Sequence, residues 1–212
     1  GVTWSTTESR LNLDGNVYAV RIYDSELSAE EIKRNYEIDK DKYQTTSDYS
    51  KDDLIIHLDG TNKGTTDGIW QDLSGNGNHG TINGATWNGN GLSFDGTNDY
   101  VDFGKQHFYE NVTMEIVLKY NSGSGIFANY AQGGYGLESD GFIYGLQFID
   151  GSYKMTAKYN MTSYKNNIMY ISYTYDGTYQ KLYINGKLHS SVESTGAITG
   201  PMSEDIFLTI GA

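Results

Sequence analysis

Along most of this chain apolar and polar residues alternate with a period of two. The longest run has Val112, Met114, Ile116 and Leu118 on one face and Thr113, Glu115, Val117 and Lys119 on the other. Successive side chains of a strand point to opposite faces, so this pattern predicts a half-buried strand. Tyr18, Val20 and Ile22 alternate in the same way against Val17, Ala19 and Arg21 and predict a strand over Val17–Tyr23. Shorter segments at 54–58, 91–96, 99–103, 125–130, 142–149 and 153–159 predict further strands, about a dozen in all. Residues 167–192 hold a hairpin system in which Asp176-Gly177 and Asn185-Gly186 mark the bends, the second suited to a two-residue turn with both φ values positive.

One segment departs from this period. Ser28 and Glu31 form a capping box, and Leu27 with Ile32 the accompanying hydrophobic staple, so a helix is expected from about Ala29 to Tyr36, within residues 28–37. Its apolar positions Ala29, Ile32 and Tyr36 make one stripe, expected to lie on a sheet rim. Residues 41–53 are polar and aperiodic and read as a surface linker.

Composition supports an all-β reading. The chain has 212 residues, 26 glycines and one proline, enough for a single large domain with the turns that many antiparallel strands require. A formal charge of −12 argues against nucleic acid, whose phosphates it would repel. No stretch approaches the ~20 apolar residues of a membrane span, so no membrane insertion is expected. The absence of cysteine excludes disulfides and thiolate metal sites. Nineteen tyrosines suit both half-buried strands and surfaces that bind through rigid amphipathic rings.

Four motifs carry a family resemblance: Asp72-Leu-Ser-Gly-Asn-Gly-Asn-His-Gly80, Phe94-Asp-Gly-Thr-Asn-Asp-Tyr-Val101, the segment from Tyr175 to Lys187, and Asn16–Asp24 with Leu27–Ile32. Through them the chain resembles the laminin-G-like, concanavalin A-like jelly-roll superfamily, in particular its bacterial and phage modules. The resemblance implies a two-sheet antiparallel jelly-roll sandwich with one short helix. It also implies an unusual order, because the family's closing strand and helix stand at residues 1–40 and its opening segment begins only at Leu54. The expected organisation is one domain over 1–212, circularly permuted or offset by a repeat, with 54–212 as the main body.

Chemistry is sparse. Glucanases of this fold place catalytic carboxylates at alternate positions of one strand. Here Glu37-Ile-Asp39 falls on the helix exit, where a spacing of two does not align side chains, and Glu138-Ser-Asp140 lacks a third acid. No pair of the four histidines has metal-ligand spacing, and no enzyme is expected. Asp59 to Trp70 mimics a calcium loop but has Lys63 and Trp70 where oxygen ligands are needed. The crowded turn with Asp95, Asn98 and Asp99 is the better candidate for calcium. For saccharide binding the first choice is the glycine-rich loop with Tyr130, Gln132 and Tyr135, with Asn129 and Asp140 as hydrogen-bonding partners.

The expected function is a non-catalytic binding module for a glycan or cell-surface polymer, extracellular, on a cell surface or on a virion. The alternative is a structural module in which residues 1–40 complete a neighbouring subunit by strand exchange. A glycoside hydrolase is the third and weakest reading.

Overall fold

The computed structural model describes residues 13–40, 49–62, 64–105, 111–123, 126–129, 135–139, 141–196 and 207–211. In chain order these form β1 (Asp14–Tyr23), α1 (Ala29–Lys40), β2 (Leu54–Asp59), β3 (Ile69–Trp70), β4 (Gly80–Asn83), β5 (Thr86–Trp87), β6 (Leu92–Asp95), β7 (Tyr100–Lys105), β8 (Val112–Ser122) and β9 (Phe127–Asn129). There follow β10 (Tyr135–Ser139), β11 (Phe142–Ile149), β12 (Ser152–Met155), β13 (Tyr159–Asn160), a 3-10 turn at Thr162–Tyr164, β14 (Ile168–Tyr175), β15 (Tyr179–Ile184), β16 (Lys187–Glu193) and β17 (Phe207–Ile210).

Two antiparallel sheets face each other, as the period-two pattern requires. The first runs β16-β15-β14-β8-β1-β6-β5 with β2 also on β1, and the second runs β12-β11-β10-β9-β17-β7-β4-β3 with β13 on β11. β1 lies inside the first sheet. One edge of β1 pairs with β8 from Asp14 to Tyr23, while the other pairs with β6 at Asp14–Val17 and with β2 at Ala19–Tyr23. These partners belong to the same chain.

The two-faced reading of β8 holds. Val112, Met114, Ile116 and Leu118 enter the main core between the sheets, beside Val20, Ile22, Tyr173, Ile143 and Ile210. Val117 faces the opposite way, into a second cluster with Ala19, Tyr23, Leu27, Ile32, Tyr170 and Tyr183. Burying each such aliphatic side chain contributes ~1.5–3 kcal/mol, so both faces of β8 stabilise the fold.

Four expectations need correction, the first in β1, where Val17 enters the main core with Val20 and Ile22 while Tyr18 packs on the second cluster with Ala19, because the pairing with β8 shifts register between Val17 and Ala19. The described strands number 17 rather than about a dozen, because short pairings such as β3, β5 and β13 are too brief to leave a periodic trace. The run at 153–159 breaks after Met155, where the buried Thr156 turns its hydroxyl to accept from the Gly145 amide. The helix extends to Lys40 and packs on the outer face of the first sheet instead of its rim. Its buried residues are Ile32, Asn35 and Ile38, with Tyr36 half-exposed, because a polar contact draws Asn35 inward.

The local turn chemistry follows the sequence closely. Ser28 and Glu31 exchange bonds as expected, the Glu31 amide donating to Ser28 Oγ at 3.2 Å and the Ser28 amide to Glu31 Oε2 at 2.8 Å. Asn185 and Gly186 have φ of 50° and 70°, the geometry of a two-residue hairpin turn. In the 72–80 motif, the buried Asp72 accepts from the amides of His57, Ser74 and Asn78, so its carboxylate ties that corner together.

Candidate functional site

The expected saccharide loop is described only at its flanks. Asn129 closes β9 and Tyr135 opens β10, with Tyr135 opposite Gln147 on β11. Tyr130, Gln132 and Asp140 lie outside the described residues, as do the side chains of Asn129, Tyr135 and Glu138.

At the proposed calcium turn, the carboxylates engage backbone. Asp99 Oδ2 accepts from the Asp95 amide at 2.9 Å, and Asp95 Oδ1 accepts from the Thr97 amide at 2.8 Å. Asp99 is buried and Asn98 exposed. Calcium takes about six to eight oxygens, and these residues are arranged to stabilise their own turn, so the fit to that cation is poor. Among the described residues no group of three or more His, Asp or Glu side chains is placed to hold a metal ion.

The two carboxylates of Glu37-Ile-Asp39 diverge, as positions two apart on a helix must. Glu37 is exposed and pairs with Lys40 at 3.1 Å. Asp39 instead meets Arg21 through two guanidinium nitrogens, at 2.8 and 3.0 Å. Arg21 also reaches Glu115 at 3.4 Å, and Asn35 Nδ2 donates to Glu115 at 3.0 Å and to the Tyr23 hydroxyl at 3.2 Å. The Tyr49 ring stacks 3.6 Å from the guanidinium carbon, and its hydroxyl donates to Asp39 at 2.7 Å. The described end of the expected surface linker is therefore built into a buried cluster.

Burial raises the Glu115 pKa, while Arg21 opposes that rise. Burial also opposes the charge of Arg21, but Asp39 beside it holds its pKa well above the usual value. With Arg21, Asp39 and Glu115 side chains 1%, 5% and 0% exposed, no substrate reaches these groups. They fasten α1 to the sheet.

Described residues from three segments come together at the surface in a groove of about 550 Å³ between the end of α1, the β15–β16 turn and β13 with its following 3-10 turn. Tyr36, Glu37 and Lys40 line one wall, Tyr159 and Tyr164 the other, and Ile184, Asn185, Lys187, Leu188 and His189 the floor and rim. The hairpin turn positions the first wall, since Gly186 has no side chain and Tyr36 packs where a Cβ would stand, at 2.8 Å. Tyr159 organises the second. Its ring meets His189 edge-on at 4.8 Å and Tyr164 at 6.1 Å.

The polar groups here are partly committed. Asn185 Oδ1 accepts from the Tyr170 amide at 3.0 Å, so its Nδ2 donors remain available. Burial, followed by the contact with Tyr164, raises the Tyr159 pKa. Glu37 is the one carboxylate among the described lining residues. This arrangement offers faces for stacking and donors for hydroxyl groups. Its described residues include no pair of carboxylates to flank a scissile bond.

None of the groove residues was singled out as a site in the sequence, where Tyr36 reads as helix core and His189 as a hairpin end. They come from three segments, 36–40, 159–164 and 184–189. The available signal was the density of tyrosine, which does not say which rings converge.

No family model and no curated protein matches the chain. Among solved structures it is similar to the carbohydrate-binding module CBM66 from Bacillus subtilis, at 13% identity and a TM-score of 0.33, over 53% of this chain and 78% of that one. It is also similar to HCR/D in a tryptophan-to-alanine mutant form, at 16% identity and a TM-score of 0.42. That match covers 74% of this chain and spans 42% of the length of the other.

Proposed function

We propose that this all-β sandwich is a non-catalytic carbohydrate-binding module of the laminin-G-like, concanavalin A-like type, acting outside the cell on a glycan or cell-surface polymer of a bacterial or phage system. The observation that carries the reading is the groove in which Tyr36, Tyr159 and Tyr164 converge beside Asn185 and His189. Saccharide sites combine aromatic faces, which cover the apolar C–H faces of a sugar ring, with a few placed polar groups that select its hydroxyls. A groove of about 550 Å³ falls within the usual size of small-ligand sites, ~300–1,000 Å³.

The non-catalytic part of the proposal rests on the lining. Both standard glycosidase mechanisms use two carboxylates about 5–9.5 Å apart, and Glu37 is the single acid among the described residues of the groove. Asp39 is turned away into its ion pair with Arg21.

The test is glycan-array binding followed by titration calorimetry on the best ligand. Tyr159→Ala and Tyr164→Ala should each weaken binding by about 0.5–1.5 kcal/mol, the scale of an aromatic contact beyond its buried area. Binding that survives both substitutions on folded protein would remove the groove as the site.

A further inference from the structure

The charge of the groove is opposite to that of the molecule around it. The chain carries a formal charge of −12, yet among the described lining residues two lysines and a histidine stand against one glutamate. Lys40 is already engaged by Glu37 at 3.1 Å. Lys187, exposed on the first residue of β16, has no ion pair with a described residue. It stands beside the tyrosines and beside Asn185, whose Nδ2 is available. Among its described residues the groove thus presents stacking faces, neutral donors and one uncompensated cation.

We infer that the groove selects a sugar carrying an isolated acidic group, such as a uronate residue within an otherwise neutral glycan, with Lys187 as the specificity-determining residue. This rests on the saccharide reading of the same site. A lone ammonium among aromatic rings suits one carboxylate or sulfate per ring bound, because each additional anion would face the negative field of the whole chain. That field extends about 8 Å into physiological salt, beyond the reach of a single side-chain contact, so a densely charged polyanion is repelled where a sparsely charged chain is not. The local contact and the global charge therefore set two limits on the ligand, one favouring an acid and one opposing many.

The experiment uses the intact chain on an array of matched oligosaccharides, neutral or carrying one glucuronate, with heparin as the dense polyanion. The best matched pair is then titrated, and a singly sulfated counterpart separates carboxylate from sulfate as the acidic group. The acidic member should bind about tenfold tighter than its neutral partner, the size of a charge-assisted hydrogen bond, and heparin more weakly than either. Lys187→Gln should abolish the preference, bringing the acidic ligand to the affinity that the same variant has for the neutral one. Tyr164→Ala should weaken both. Equal affinity for the two members, an unchanged Lys187→Gln protein, or preferential heparin binding would overturn the acidic-ligand inference and leave the saccharide reading standing. Failure of the folded protein to bind any of these probes would overturn both.

Discussion

Arg21 is where the helix, the first sheet and the segment before β2 meet. Its guanidinium is held by Asp39 from α1, by Glu115 from β8 and by the ring of Tyr49. Arg21→Ala would leave two buried carboxylates without their counter-charge, and breaking such a pair from one side costs about 3–5 kcal/mol. That loss is expected in the urea-unfolding free energy. Glu115→Gln should cost clearly less, because burial already favours the neutral form of Glu115 and Gln retains an acceptor for Asn35. Equal losses from the two substitutions would contradict this assignment. None of this network was legible in the sequence: Arg21 reads there as an ordinary outward-facing strand residue, and only the docking of a helix over that face makes it a core residue.

At the scale of elements, the start of α1 was readable because its cap is local. Ser28 and Glu31 lie three residues apart, and the bonds they exchange need no tertiary partner. Ser28→Ala should lower stability by about 1 kcal/mol, measured by thermal unfolding. The cap also gives a pH signature. Hydrogen bonding from the Ser28 amide lowers the Glu31 pKa from its ordinary value of 4.5. A lowered folded-state pKa means that the contribution is fully present above 4.5 and is lost as pH falls through the folded value. Glu31→Gln should therefore flatten the decline of unfolding temperature below that pH, while an unchanged acid slope would count against the cap as a titrating element. The end of the helix was not readable in this way. Its last turn depends on the buried Ile38 and on the ion pair of Asp39, partners that lie far away in sequence.

For the whole molecule, the decisive fact is the position of β1. A strand flanked by β8 on one edge and by β6 and β2 on the other contributes both ladders and core side chains, and its loss would split the first sheet. A chain beginning at residue 49 should therefore lack a cooperative thermal transition in circular dichroism. Addition of a peptide covering residues 13–40 should restore it, since the peptide supplies β1, α1 and Arg21 together. A cooperative transition in the shortened chain alone would show that β1 is dispensable.

The sequence by itself determined the fold class, the inward and outward faces of β8, the hairpin turn at Asn185-Gly186 and the cap at Ser28, because each depends on neighbours within a few residues. The tertiary structure alone decided what the outward faces meet. It made Arg21, Asn35 and Glu115 interior by laying α1 over them, and it brought Tyr36, Tyr159, Tyr164 and Lys187 to one groove. The physical reason is common to both outcomes: periodicity fixes the direction of a side chain relative to its own element, whereas its surroundings depend on which elements pack against that face.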